Sequence, residues 1–229
     1  MLLEIKSLEK GFFKKKVLDD FNLEIKKGYI YGLVGPNGSG KSTFMKILAG
    51  LVQKTKGEIY FKGEKYNLKT RYNISYQPTE DYFYKWMKVE DAINFYKDFY
   101  SDFDKEKALG ITEMMQLEFN QKISSLSTGE KVRLKVALAL SRNVPLYLLD
   151  EPLNGVDPIS REKIVEVISG ELNQDKTIII SSHLIKEFET ILDRVLFLKD
   201  GKILLNEDCE ELRFERNMSI NDLYKEIYD

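Results

Sequence analysis

The run Gly35-Pro36-Asn37-Gly38-Ser39-Gly40-Lys41-Ser42 has the spacing of a phosphate cradle: a glycine, four residues, then Gly-Lys-Ser. Glycines let successive backbone N–H groups converge on an anion with no side chain in the way, and a helix starting near Lys41 adds the positive end of its dipole. In that geometry Lys41 reaches the β- and γ-phosphates of ATP, Ser42 ligates Mg²⁺, and Thr43 offers a hydroxyl or N–H on the α-phosphate side. A second constellation lies far along the chain, where Leu146-Tyr147-Leu148-Leu149 runs into Asp150-Glu151. Two carboxylates at the end of a buried apolar strand need an electrostatic partner. Mg²⁺ on Asp150 supplies one, and Glu151 then polarises a water for attack on the γ-phosphate. An ordinary Gly-rich turn and a structural acidic pair are the competing readings, and each set weakens the case for them at the other.

These residues need elements that hold them. Tyr29–Val34 is a nearly continuous apolar run, the pattern of a strand buried on both faces, and it ends at the glycine-rich loop. Thr43–Leu51 then has helical periodicity, completing strand, loop and helix. Leu2–Leu8 and Phe21–Ile25 alternate as half-buried strands do, and Lys14–Lys16 between them reads as a solvated turn. From Pro78 to Ser125 the chain turns Tyr- and Phe-rich and helical. A helix over Glu130–Ser141, a strand at Leu146–Leu149, a helix over Ser160–Leu172, a strand at Thr177–Ser181 and a strand pair near Val195–Leu205 follow. Alternating strands and helices predict an α/β fold with a mostly parallel sheet covered on both faces. No repeat or Pro/Gly-rich linker divides the chain, so it reads as one unit: a core of residues 1–77 and 142–229 and a helical lobe of residues 78–141.

The 229 residues, 43% of them hydrophobic and 12% aromatic, are ample for a packed core. Lys and Arg number 35 against 37 Asp and Glu, so no overall charge draws the chain to nucleic acid or to an anionic membrane. The single Cys209 cannot close an intrachain disulfide, which fits a reducing cytosol and an inert thiol. Charges at Glu4, Lys6, Glu9 and Lys10 leave the N-terminal segment without the continuous apolar stretch of a signal peptide, and no run approaches the roughly 20 apolar residues that span a bilayer. If the protein serves a membrane, another chain crosses it.

Leu126-Ser127-Thr128-Gly129-Glu130 precedes a helix, and its local reading is a capping box, Ser127 as cap and Glu130 three residues on. Taken with the phosphate loop, the carboxylate strand, Asp157 in Gly155-Val156-Asp157-Pro158, and His183 after Ile178-Ile179-Ile180-Ser181-Ser182, the order resembles the nucleotide-binding domain of ATP-binding cassette (ABC) ATPases over essentially the whole chain. The resemblance implies a RecA-like P-loop core with a mostly parallel sheet, an antiparallel β region and an inserted helical lobe. It also implies an ATPase whose nucleotide is clamped between two cassettes. Ser127 and Gly129 then belong to the signature motif that faces the partner's γ-phosphate, Asp157 to the loop linking the two sites, and His183 is the switch histidine on the γ-phosphate. Phe12 resembles the aromatic that stacks on adenine, although Phe13 is adjacent and either can be core. Two departures stand out. The family signature usually reads Leu-Ser-Gly-Gly-Gln, so Thr128 and Glu130 are variant; and the lid position that usually carries glutamine falls on Thr79, with Gln77 two residues early.

The same resemblance implies a separate transmembrane permease and a second cassette, identical or different, with this chain on the cytoplasmic face of the membrane. Tyr82, Phe83, Tyr84, Trp86 and Met87 fall where such cassettes receive a short helix of the permease, or else they pack the lobe. The short tail after the last strand pair is similar to exporter cassettes of the drug, antibiotic-peptide and lipid class. A non-transport ABC ATPase acting on ribosomes or DNA is the alternative, though it normally carries two cassettes or a long insertion. An unrelated P-loop phosphotransferase has no need for the Ser127 and His183 motifs.

Overall fold

The computed structural model describes residues 1–13, 15–215 and 217–228; Lys14, in the lysine turn, lies outside them, and Lys15 and Lys16 already belong to a strand. The chain opens with β1 (Leu3–Phe12), β2 (Lys15–Ile25) and β3 (Ile30–Val34), then α1 (Lys41–Leu48), β4 (Lys56–Phe61), β5 (Glu64–Lys65) and β6 (Ile74–Gln77). Helices α2 (Val89–Phe99), α3 (Lys105–Met114) and α4 (Thr128–Leu140) follow, with no named strand between them. The rest alternates: β7 (Leu146–Asp150), α5 (Pro158–Glu171), β8 (Thr177–Ser181), α6 (Ile185–Phe188), β9 (Arg194–Lys199), β10 (Lys202–Asp208), α7 (Cys209–Phe214) and α8 (Ile220–Tyr228).

Two sheets result. A six-stranded sheet of order β10-β9-β3-β8-β7-β6 is parallel except for β10, and an antiparallel sheet of order β2-β1-β4-β5 stands beside it. Successive strand residues point to opposite faces, so the apolar runs feed two cores. Ile30, Val34, Tyr147, Leu149, Ile178, Ile180, Val195 and Phe197 join the core on the α4 and α5 side. Tyr31, Leu33, Leu146, Leu148, Ile179, Leu196 and Leu198 join the core that α1 fills, with Phe44, Met45 and Leu48, against the antiparallel sheet. Leu146–Leu149 of β7 and Ile178–Ile180 of β8 are apolar at successive positions because both faces of the sheet are covered.

Replacing a side chain here leaves a cavity that the flanking helices cannot close. Ile180→Ala is expected to cost about 2–5 kcal/mol in denaturant unfolding, whereas Leu204→Ala, at a residue 47% exposed in β10, should change stability by no more than about 0.5 kcal/mol. Equal effects from the two would overturn the two-faced core.

Several boundaries differ from the sequence reading. Helix α1 starts at Lys41 rather than Thr43, because the phosphate loop runs directly into it, and it stops at Leu48. Strands β4, β5 and β6 have no counterpart in the sequence reading. The tail folds as α7 and α8, whose Cys209, Leu212, Ile220 and Leu223 enter the larger core. Burial pushes the Cys209 thiol up to about 12, so it is inert.

Candidate active site

The phosphate loop leaves the end of β3 and turns into α1. Lys41, Gly35, Ser39 and Gly40 are buried, Pro36, Asn37 and Gly38 form its exposed crest, and Ser42 and Thr43 are half-buried in the first turn of α1. Gly35 is required by contact: a Cβ there would lie 2.3 Å from the Leu198 carbonyl oxygen of β9 and 2.9 Å from Ser39 Oγ. That carbonyl is braced from behind, since Tyr228 of α8 donates its hydroxyl to Leu198 O at 2.9 Å. Lys41 Nζ folds over the loop and donates to Gly35 O (2.7 Å) and Pro36 O (3.2 Å), and burial pulls its pKa down against the pull of Glu151 and Asp150.

Parallel pairing brings the second constellation alongside. Asp150 ends β7 fully buried, and its Oδ1 accepts from Ser42 Oγ (3.1 Å) and Ser181 Oγ (2.5 Å) while its Oδ2 accepts from Tyr76 Oη (3.2 Å). Glu151 adopts φ 51°, a left-handed conformation uncommon outside glycine, held by its N–H donating to Ser181 O (3.0 Å) and Ser181 Oγ (3.1 Å). Its Oε2 lies 2.7 Å from His183 Nδ1 and accepts from the His183 N–H at 3.3 Å. Lys41, Ser42, Asp150, Glu151 and His183 thus converge across the carboxyl ends of β3, β7 and β8.

Ser181 and Tyr76 are the members the sequence reading missed. Ser181 is the register partner of Asp150 in β8, and Tyr76 sits on β6 beside Leu148. Strand pairing is the signal that finds them.

Ser127 and Gly129 open α4. Ser127 Oγ accepts from the Glu130 N–H (3.2 Å) and Glu130 Oε2 accepts from the Ser127 N–H (2.8 Å), so the capping box is formed. The variant Glu130 has a use: its carboxylate turns back onto the helix start, where the dipole favours it. A Cβ at Gly129 would lie 3.0 Å from Gly155 O, so α4 starts hard against the loop that leads to Asp157. Asp157 caps α5 by accepting from the Ser160 N–H at 3.0 Å. Phe12 ends β1, 44% exposed, with Lys10 Nζ 4.5 Å from its ring centre; Phe13 beside it is fully exposed, and neither is core.

Past β6, Gln77 is 1% exposed and donates Nε2 to Pro78 O at 2.8 Å, while its buried Oε1 lacks a partner among the described residues. Thr79 Oγ1 reaches Glu80 Oε2 at 3.4 Å. Both Gln77 and Thr79 line a cavity of about 250 Å³ shared with Glu151, Thr128, Lys131 and Lys135.

The loop fits a nucleotide phosphate on its own terms. Buried Ser39 Oγ has no hydrogen-bond partner among the described residues, Lys41 is held by loop carbonyls, and a side chain at position 35 is excluded. The Ser42–Asp150 pair is an all-oxygen donor set suited to Mg²⁺.

A family model described as ABC transporter matches residues 18–154. The chain is 35% identical to the lantibiotic transport ATP-binding protein SrtF of Streptococcus pyogenes, over 91% of this chain and 92% of that protein. It is 31% identical to the lipopolysaccharide export system ATP-binding protein LptB of Haemophilus influenzae, over 92% of each. Among solved structures, an ATP-binding subunit of an ABC transporter superposes with TM-score 0.88 at 24% identity over the whole of both chains. A dimeric ATP-binding cassette in a post-hydrolysis state, bound to ADP and phosphate, gives TM-score 0.81 at 26% identity over 91% of this chain and 99% of that one. The chain therefore belongs to the ABC transporter family, among its ATP-binding cassettes.

Proposed function

We propose that this cassette hydrolyses ATP between two cassette subunits to drive export through a separate membrane-spanning subunit, working at the cytoplasmic face of the membrane. The observation that carries the chemistry is the junction of phosphate loop and carboxylates: Ser42 on Asp150, with Glu151 on His183 next to it. In this reading Lys41 exchanges loop carbonyls for phosphate oxygens, and the loop N–H groups from Gly38 to Thr43 take the rest of the polyphosphate charge. Ser42 and Asp150 would hold Mg²⁺, which when bound would neutralise charge on the phosphates. Glu151 orients a water and accepts its proton as the new O–Pγ bond forms and the bond to the ADP oxygen breaks. His183 holds Glu151 in place through Oε2. Ser127 and Gly129, at the start of α4, face the partner's nucleotide, and Asp157 links the two sites.

Residues 78–141 serve as the lobe that passes nucleotide state to the membrane. The aromatic stretch divides: Met87 is buried, Phe83 packs on the core, and Tyr84 and Trp86 stack 6.0 Å apart on the surface. A groove of about 840 Å³ opens between α1 and the lobe, lined by Leu51, Leu68, Tyr72, Tyr82 and Tyr96 among others. Its apolar lining suits a short helix of the permease. Among the described residues no helix is long and apolar enough to cross a membrane, so membrane attachment in this reading depends on that groove.

The test is fractionation of the chain from cells that express it. Wild type is expected in the membrane fraction, and the Leu68→Asp, Tyr72→Asp double variant, placed on the exposed rim of the groove, should leave it while still binding ATP. Membrane association that survives the double variant overturns the groove, and sedimentation of wild type with ribosomes would assign the non-transport role instead.

A further inference from the structure

Lys135 is a charge placed in a helix core. It lies in the middle of α4 between Leu134 and Val136, and it is 3% exposed. Among the described residues its ammonium takes main-chain oxygens and no carboxylate as hydrogen-bond partners. Nζ donates to Glu80 O at 2.6 Å and Thr79 O at 2.9 Å, and reaches Pro78 O at 3.5 Å, with the Tyr82 ring centre 5.8 Å away. A lysine ammonium has three donors and no acceptor, and here they meet three consecutive main-chain oxygens.

Of those oxygens, Pro78 O also accepts from Gln77 Nε2 at 2.8 Å. β6 is the edge strand of its sheet and ends at Gln77, so the main chain of residues 78–80 has left the ladder. Two further ion pairs hold the same loop: Lys131 to Asp81 at 2.7 Å from α4, and Lys46 to Glu80 at 2.5 Å from α1. Both involve half-exposed carboxylates, and such surface pairs hold weakly. Lys135 is the buried tie. Burial pulls its pKa down while Asp81 and Glu80 pull it up.

The loop is joined at one end to the active site. Tyr76, two residues before Pro78, donates to Asp150, and Gln77 lines the cavity that Glu151 shares. At the other end of the tie, Ser127 caps α4, and Thr128 and Gly129 of its first turn lie against Gly155. We infer that Lys135 is a positioning residue that fastens the loop after β6 to α4, so that displacement at Asp150 and Glu151 and displacement of Ser127 occur together. The inference rests on the ATPase reading for its consequence, but not for the tie itself.

The experiment is amide hydrogen exchange on Glu151→Gln protein with and without Lys135→Met, each measured alone and with Mg-ATP. Methionine keeps the length and apolar stem of lysine and removes the donors. Without nucleotide, amides of residues 79–84 should exchange at least about tenfold faster in the Lys135→Met protein while those of residues 136–140 keep their rates, since removing the tie opens the loop locally. With Mg-ATP, protection of residues 79–84 and of residues 127–131 should rise together when Lys135 is present, and separately when it is replaced. Lys135→Arg, which retains donors, should restore the joint response. Unchanged exchange of residues 79–84 in Lys135→Met overturns the tie. Should Lys135→Met fail to fold, the ammonium ¹H–¹⁵N signal of Lys135 in the otherwise unaltered chain decides: slow hydrogen exchange is expected, and exchange at the rate of a free lysine overturns it. If Mg-ATP does not bind, the ATPase reading fails while the nucleotide-free comparison still tests the tie.

Discussion

Glu151→Gln is expected to retain ATP binding and to lose turnover by about 10²- to 10⁴-fold, the usual cost of removing a general base. The substitution is nearly isosteric. Glu151 keeps its strained φ of 51° because the Ser181 carbonyl and hydroxyl hold its N–H, and those bonds do not involve the side chain. Lys41, Ser42 and Asp150, which the reading assigns to phosphate and metal, are untouched. What goes is the negative charge that takes the proton from water. Phosphate release and fluorescent-nucleotide binding measure the two halves of the expectation, and unchanged turnover would remove Glu151 from the mechanism. The same variant reports on assembly. With hydrolysis stopped, Mg-ATP should shift its mass in solution from monomer to dimer; a nucleotide-bound monomer would mean that a different cassette or a membrane subunit closes the site.

The candidate site was legible where it is local. Lys41, Ser42, Asp150 and Glu151 each sit in a short run whose composition makes little sense without phosphate or metal. Ser181 and Tyr76 were not legible, because only the register Asp150↔Ser181 and the placement of β6 beside β7 bring them to the carboxylate. β4 escaped for a different reason. Its Gly57 stands at φ 88° where a Cβ would meet Ser7 O at 2.4 Å, and the β1–β4 register shifts between Lys6 and Glu9, so alternation breaks where it would have been counted. Helix α8 carries Ile220, Leu223, Tyr224 and Ile227, an apolar stripe at helical spacing, and was readable in principle. At Ser127-Thr128-Gly129-Glu130 the local reading holds: the capping box forms, and the helix it caps starts hard against the loop leading to Asp157.

Lys41→Met is expected to weaken nucleotide binding by about 10²- to 10⁴-fold without unfolding the protein. The size follows from the bonds that Lys41 would make. Two hydrogen bonds from an ammonium to phosphate oxygens contribute about 1.5–3 kcal/mol each, and their sum corresponds to that range in Kd. Stability should move the other way or not at all. The ammonium is buried, desolvation already disfavours its charge, and a methionine of similar length refills the space over the loop. Pro36 O keeps the Ser39 N–H at 3.2 Å and lies on the exposed crest of the loop, while buried Gly35 O loses its donor, at a cost of about 1–3 kcal/mol that the relieved desolvation of the ammonium offsets. The two effects separate in one thermal melt. Without nucleotide the variant should melt within a few degrees of wild type; with Mg-ATP at about 100 times the wild-type Kd, wild type gains about 2.7 kcal/mol and the variant gains almost nothing. A variant that melts early in both conditions would mean that Lys41 holds the loop together rather than the nucleotide. A variant stabilised by Mg-ATP as fully as wild type would mean that the loop N–H groups bind the phosphates without it.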